Sequence, residues 1–280
     1  FERRLELLAQ ELDRQMRQRP GFRPVLNFGD DDFLLNREKG LRLLECMARH
    51  GLAESCNILY ATSVTSLHRG GRLDQELLAA IKASRVSLMQ IGTDAFIDEE
   101  IGQIKGGRYS SSMVREMIAG LEEHGVTNNH FWILSGPGTT LTVLVKHLTR
   151  VWNLYRSFRL FHITWPNHYL IPLIGSPLRQ ALESQGAAGR LVERPTLRRG
   201  PQAEALRFYD REEPADPLAA GLLACLRDDV QAELMGSAPY GFDFQKALAT
   251  VRVYLAQLAQ TGSAPVKVLD DCWRIMDTTG

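Results

Sequence analysis

The sequence predicts an α/β chain, a partial (β/α) barrel followed by a helical extension, on three observations. Short apolar, strand-like segments alternate with helix-like ones through the first two thirds of the chain. Each strand-like segment is apolar on both faces, which signals a parallel sheet covered by helices. Polar and glycine-rich residues follow the carboxyl ends of several strands: Gly29-Asp30-Asp31-Asp32, Gly92-Thr93-Asp94 and Ser135-Gly136-Pro137-Gly138. In a barrel that is the end where the site is built. No GxGxxG follows the first strand, so a dinucleotide-binding doubly wound sheet has no support.

The elements follow in order. Leu5, Leu8, Leu12 and Met16 share one helix face, and Pro20-Gly21 ends that helix. Pro24 to Phe28 reads as a short buried strand, and Arg37 to Arg49 as a helix stopped by His50-Gly51. Asn57 to Ala61 is a second strand. Asp74 can cap a helix carrying Leu77, Leu78 and Ile81. Val86 to Ile91 is strand-like again. Ser110 to Glu123 lines up Met113, Val114, Met117, Ile118 and Leu121, and Gly125 closes it. Phe131 to Leu134, Leu141 to Trp152 and Phe158 to Ile163 continue as strand, helix and strand. The barrel-like part covers residues 1 to 186. From 187 to 280 come a connector rich in Gly, Pro and self-cancelling charge, then three helices over 217–235, 243–260 and 266–276.

Composition narrows the function classes. The 280 residues are 44% hydrophobic and 24% charged, with Lys+Arg 33 against Asp+Glu 33. A net charge of zero argues against a non-specific nucleic-acid binder. No apolar run approaches the ~18–20 residues that cross a bilayer, and no basic-then-apolar leader opens the chain. The four cysteines, Cys46, Cys56, Cys225 and Cys272, form no CxxC pair. They read as reduced, mostly buried thiols of a cytoplasmic protein, and they cannot build a local Cys-ligated metal site.

Four places carry candidate chemistry. Asp30, Asp31 and Asp32 repel one another and need a cation, backbone N–H groups or water; they also suit a plain loop leading into a helix. Thr93 and Asp94 at a strand end suit ribose hydroxyls, or a turn with an Asp cap. Ser135 to Thr140 lets backbone approach a flat ligand, but it lacks the Lys of a P-loop. His162 and His168 flank Trp165-Pro166-Asn167 as a polar, substrate-facing rim, with no third ligand evident for a metal.

Order and spacing add what no single motif carries. The blocks are Phe28-Gly29-Asp30-Asp31-Asp32-Phe33 with Asn36-Arg37; Leu73 to Leu78, then Ile91-Gly92-Thr93-Asp94 and Ile104-Lys105-Gly106-Gly107; His124-Gly125-Val126 leading into Phe131 to Thr140; and Ile171 to Leu178. Together, over residues 1 to 186, they resemble the radical S-adenosylmethionine enzymes. The closer match is to the cobalamin-dependent or methylthiotransferase-like branch. The resemblance implies a horseshoe-shaped partial barrel that binds S-adenosylmethionine for reductive cleavage to a 5′-deoxyadenosyl radical. It implies that Gly29, Asp30 and Asp31 hold the methionyl amino group, that Thr93 and Asp94 meet the ribose or carboxylate, and that Ser135, Gly136, Pro172 and Ile174 border the adenine.

The sequence also departs from the family pattern. Asp94-Ala95 stands where Glu-Ser is usual, and Thr139-Thr140 lacks the acid common before the Thr. The CxxxCxxC that would hold a [4Fe-4S] cluster is absent. In the family it precedes a helix that corresponds to residues 1 to 18. A chain opening there on Phe1 is therefore expected to be a fragment lying after the first strand and cluster loop, inactive alone. Its expected partners are an upstream cluster-bearing segment, an unknown small-molecule substrate and, where cobalamin is used, a cobalamin-binding domain outside this chain. Two alternatives remain open: a cluster-less binding or interaction module on the same fold, and a metal-dependent barrel enzyme using Asp30, Asp31 and His162.

Overall fold

The computed structural model describes residues 2–19, 21–163, 180, 184, 191–194, 206–209, 214–234 and 244–279. Its centre is a parallel sheet of five strands: β1 (Val25–Phe28), β2 (Asn57–Ser63), β5 (Leu88–Asp94), β6 (Asn128–Trp132) and β7 (Phe161–Ile163), in that spatial order. A short antiparallel pair, β3 (His68–Arg69) and β4 (Arg72–Leu73), lies between β2 and β5 in sequence. Every crossover steps one place in the same direction. Right-handed crossovers then deliver all the connecting helices to one face, as in a barrel and unlike a doubly wound sheet.

Burial agrees with that geometry. Ile58, Tyr60, Met89, Ile91, Trp132 and Phe161 are fully covered. They share one core with Leu44 and Met47 of α2 (Arg37–Arg49), Leu77 and Ile81 of α4 (Gln75–Ala83), Met117 and Leu121 of α6 (Ser111–Glu123), and Leu144 and Leu148 of α7 (Leu141–Ser157). The alternate residues are only half-buried. The expectation of strands apolar on both faces is corrected here. The second face carries Gln90 and Asn129, half-buried, and His162, exposed, where polar side chains keep access to water.

The helix starts follow cap chemistry. Asn36 accepts from Lys39 N at 3.1 Å, Asp74 from Leu77 N at 3.1 Å, Ser110 from Met113 N at 3.3 Å and Thr140 from Val143 N at 3.4 Å. The first helix, α1 (Glu2–Gln18), buries Leu5 and Leu12. Two short helices were not expected from periodicity: α3 (Leu52–Ser55) and α5 (Asp98–Lys105). β5 and β6 also begin and end away from the expected spans, because Asp94 and Asn128 pair in the sheet despite weak strand propensity.

The connector is not plain loop: β8 (Leu191–Arg194) and β9 (Leu206–Tyr209) pair antiparallel within it. The boundary placed at 186/187 lies outside the described residues. The terminal helices α8 (Pro217–Leu234), α9 (Phe244–Thr261) and α10 (Val266–Met276) extend the same core against α7. Phe244 packs on Trp132, Trp152 and Tyr155, and Trp152 Nε1 and Arg156 both donate to the Thr279 carbonyl. The approach to α8 also braces the strand ends. Ala215 N donates to Pro137 O at 2.9 Å, and Asp216 accepts from Leu141 N at 2.7 Å.

Candidate functional site

At the end of β1 the backbone leaves the sheet through Gly29, and Asp30 and Asp31 are exposed. Asp32 turns back instead. Its carboxylate accepts from Thr62 Oγ1 at 2.8 Å and Ser66 Oγ at 2.7 Å, tying the loop to the end of β2. Phe33 N donates to Ala61 O at 2.9 Å, and the Phe33 ring stacks on Tyr60. The loop is thus anchored behind the two acids while both carboxylates face solvent.

At the end of β5 the register with β6 shifts between Ile91 and Asp94. Asp94 has φ of 57°, a left-handed conformation that Asp tolerates better than most residues. Its carboxylate pairs with Lys105 at the end of α5. Thr93 is fully buried, and its hydroxyl lies 2.6 Å from His130 Nδ1. His130 Nε2 is 2.7 Å from Asn128 Oδ1, an oxygen that can only accept, so Nε2 carries the proton and Nδ1 accepts from Thr93. Burial, with the His162 charge as a smaller cause, lowers the His130 pKa to about 3, so the ring stays neutral. Tyr109 donates its hydroxyl to the Thr93 carbonyl. Burial first, and Asp94 second, push its own pKa up. Thr93 therefore fixes the backbone that aims Asp94, with its side chain committed inward.

At the end of β6, Ser135 and Gly136 are buried and Gly138 is exposed. Gly136 N donates to Thr139 Oγ1 at 2.7 Å, and Thr139 Oγ1 donates to Glu100 Oε1 at 2.5 Å. A Cβ on Gly138 would come 2.9 Å from Gln103 Oε1. Behind the loop, His147 Nε2 accepts from Phe96 N and from Trp132 Nε1, each at 3.0 Å. Burial lowers its pKa to about 3.

Of the predicted residues, Gly29, Asp30, Asp31, Asp94, Ser135 and Gly136 lie at the carboxyl ends of β1, β5 and β6 of the one sheet, with β2 between β1 and β5 and with Thr93 preceding Asp94. Pro172, Ile174 and His168 lie outside the described residues. His162 is exposed on β7, in register with Asn129 and, through it, with Gln90. That puts His162 at the opposite edge of the sheet from Asp30 and Asp31. No group of three His, Cys, Asp or Glu side chains among the described residues could hold a metal ion. The metal-dependent alternative is corrected to that extent. Lys105, Tyr109, His130 and Glu100 were missed. Only Lys105, within Ile104-Lys105-Gly106-Gly107, had a sequence signal; the other three owe their place to tertiary packing.

No family model and no curated relative matches the sequence. Solved structures match at the level of fold. The cobalamin-dependent S-adenosylmethionine radical enzyme OxsB, with aqua-cobalamin and S-adenosylmethionine bound, aligns over 97% of this chain and 48% of its own, at 11% identity and a TM-score of 0.59. Its apo form aligns over 90% of this chain and 41% of its own, at 12% identity and a TM-score of 0.55. The radical S-adenosylmethionine methyltransferase TsrM from Kitasatospora setae, with cobalamin and a [4Fe-4S] cluster bound, aligns over 98% of this chain and 54% of its own, at 15% identity and a TM-score of 0.50. The chain spans about half the length of these proteins and shares the fold of cobalamin-dependent radical S-adenosylmethionine enzymes. Among the described residues no helix is long and apolar enough to cross a membrane.

Proposed function

We propose that this chain is the carboxyl-terminal part of a radical S-adenosylmethionine catalytic domain and forms much of its S-adenosylmethionine site. One observation carries the reading: β1, β5 and β6 of one parallel sheet end in the complementary groups that this cofactor requires. Asp30 and Asp31 offer exposed carboxylates for the methionyl ammonium. Lys105 offers an ammonium for the methionyl carboxylate, and its partner Asp94 an acceptor for ribose hydroxyls. Ser135 and Gly136 offer backbone to a flat adenine, and the missing side chain of Gly138 lets the loop pack closely against Gln103. Pro172 and Ile174 border the adenine on the strength of the sequence resemblance.

When bound, the cofactor supplies reductive cleavage to a 5′-deoxyadenosyl radical for hydrogen abstraction from a substrate. This chain's part is to bind and orient it and to keep water away. Its cysteines do not fit the iron–sulfur cluster. Cys46, Cys56 and Cys272 are buried and Cys225 half-buried, in separate segments of the fold. The cluster ligands accordingly belong to protein outside this sequence, and so does any cobalamin-binding domain. The proposed setting is the cytoplasm, with a small-molecule substrate.

The test uses the full-length protein, purified without oxygen and reconstituted with iron and sulfide. Calorimetric binding of S-adenosylmethionine, followed by cluster-dependent 5′-deoxyadenosine on reduction, is the expected result. A reconstituted protein that holds iron yet neither binds nor cleaves S-adenosylmethionine would overturn the proposal.

A further inference from the structure

Asp94 is gripped from several sides. The Thr93 carbonyl ahead of it accepts from Ala95 N at 2.6 Å and from the Tyr109 hydroxyl. Its own carbonyl accepts from Ile133 N at 2.8 Å, and its carboxylate pairs with Lys105. The bond from Ala95 N to Thr93 O closes a γ-turn, and φ of 57° at Asp94 makes it the rare, strained hand of that turn. Such a conformation persists only where its surroundings over-determine it. Tyr109 supplies a hold from outside the turn. The chain delivers it by a tight reversal: α5 ends at Lys105, and Gly106 and Gly107 follow with φ of 62° and 70°. Four residues after Lys105 the buried Tyr109 reaches back to the Thr93 carbonyl. One short segment thus holds Asp94 twice, at the carboxylate through Lys105 and at the backbone through Tyr109. The Asp94 and Lys105 side chains are both partly open to solvent, so a ligand can reach the carboxylate while Tyr109 stays bonded behind it.

We infer that Tyr109 is a positioning residue for the ribose: its hydroxyl holds the strained turn at Asp94, and so fixes the carboxylate that accepts from the ribose hydroxyls. The inference rests on the assignment of Asp94 to the ribose of S-adenosylmethionine. Removing the hydroxyl leaves the Thr93 carbonyl with the Ala95 bond alone of the two. The Asp94 backbone is then free to relax toward negative φ, which swings the side chain away from its aim. Tyr109 acts through Asp94, so its contribution to binding disappears once the carboxylate is gone.

The probe is 5′-methylthioadenosine, which has adenine and ribose but neither amino nor carboxyl group, so Asp30, Asp31 and Lys105 have nothing on it to pair with. Its binding to the full-length protein is measured by calorimetry for the wild type, Tyr109→Phe, Asp94→Gly and the double variant. Glycine is chosen at 94 because it takes the left-handed φ without strain, so its loss reports the carboxylate and not the turn. Tyr109→Phe and Asp94→Gly should each bind about tenfold more weakly than the wild type. The double variant should bind within about twofold of Asp94→Gly alone. Wild-type affinity in Tyr109→Phe overturns the inference. So do losses that multiply to about a hundredfold in the double variant, the result of a merely structural tyrosine. If Tyr109→Phe fails to fold while the double variant folds, the hydroxyl is what holds the strained turn, as inferred; if neither folds, its role is general packing and the inference falls. Hydrogen exchange of the unliganded peptide covering Thr93–Ile97 separates this failure from that of the cofactor reading. If the wild type binds no adenosine compound, the cofactor assignment falls. The hold on Asp94 then stands if that peptide exchanges faster in Tyr109→Phe, and falls if its exchange is unchanged.

Discussion

Thr93 and His130, both fully buried on adjacent strands, are joined by a 2.6 Å hydrogen bond in which the hydroxyl donates to Nδ1. The imidazole is held in that tautomer by Asn128 on its other side, and Asn128 Nδ2 in turn donates to Val126 O at 3.0 Å. Thr93→Val leaves a buried ring nitrogen unpaired, so it should cost about 1–3 kcal/mol, while Thr93→Ser should cost much less. Urea denaturation of the two variants checks this. Equal losses would mean that packing, not the hydroxyl, matters at this position.

Acid should unfold the protein through two histidines. His130 and His147 both have pKa values lowered to about 3 by burial, against 6.5 when exposed. Between those values the unfolded chain binds protons that the folded chain refuses. Their stabilisation is therefore full above about pH 6.5 and drains away as the pH falls toward about 3. Denaturant midpoints measured from pH 7 downward should give a slope approaching two protons in the middle of that window. A slope that stays near zero down to about pH 4 would show that both rings are protonated in the folded state.

Two helix glycines should respond in opposite ways to alanine. A Cβ on Gly120 of α6 would meet Leu73 Cδ2 at 2.4 Å and Leu78 Cδ1 at 3.0 Å. Gly120→Ala should therefore destabilise by about 1–3 kcal/mol through overpacking. Gly102 of α5 has nothing within 4 Å and no left-handed φ. Gly102→Ala should stabilise by about 0.5–1 kcal/mol through backbone entropy. Thermal melts of both variants decide it, and the same sign for both would contradict the packing described.

Asp30 and Asp31 are exposed, and neither ties the loop down, so replacing both with Ala should leave the melting temperature nearly unchanged. Affinity for S-adenosylmethionine should nevertheless drop by about tenfold or more in the full-length protein, through loss of charge-assisted bonds. Replacing Asp32 should do the reverse. Its carboxylate anchors the loop to Thr62 and Ser66, so Asp32→Ala should lower the melting temperature first. Paired melting and calorimetric measurements distinguish the two roles.

Much of the architecture was legible without coordinates because it rests on local rules. Asn36, Asp74, Ser110 and Thr140 are residues whose side chains cap helices, and each does so. Helix-period stripes such as Met113 to Leu121 marked their buried faces correctly. α5 escaped because eight residues opening with Asp98-Glu99-Glu100 carry little apolar periodicity. The hairpin β8–β9 was hidden in a run of charge and glycine, where pairing depends on its partner strand more than on composition.

The sequence by itself determined the alternation of strand and helix, the helix boundaries set by caps, and which loops follow which strand ends. Those are short-range properties, decided by side chains within a few residues of one another. Only the tertiary structure decided the strand order that puts Gln90, Asn129 and His162 in register on one face of the parallel sheet. It also decided that the Thr93 hydroxyl is bonded to His130 within the core, and that Glu100 reaches Gly136 through Thr139. The last two depend on groups 37 and 39 positions apart in sequence, brought together by strand order and helix packing. A hydrogen bond of that kind leaves no period or motif behind, because its energy depends on three-dimensional distance and burial rather than on neighbours in the chain.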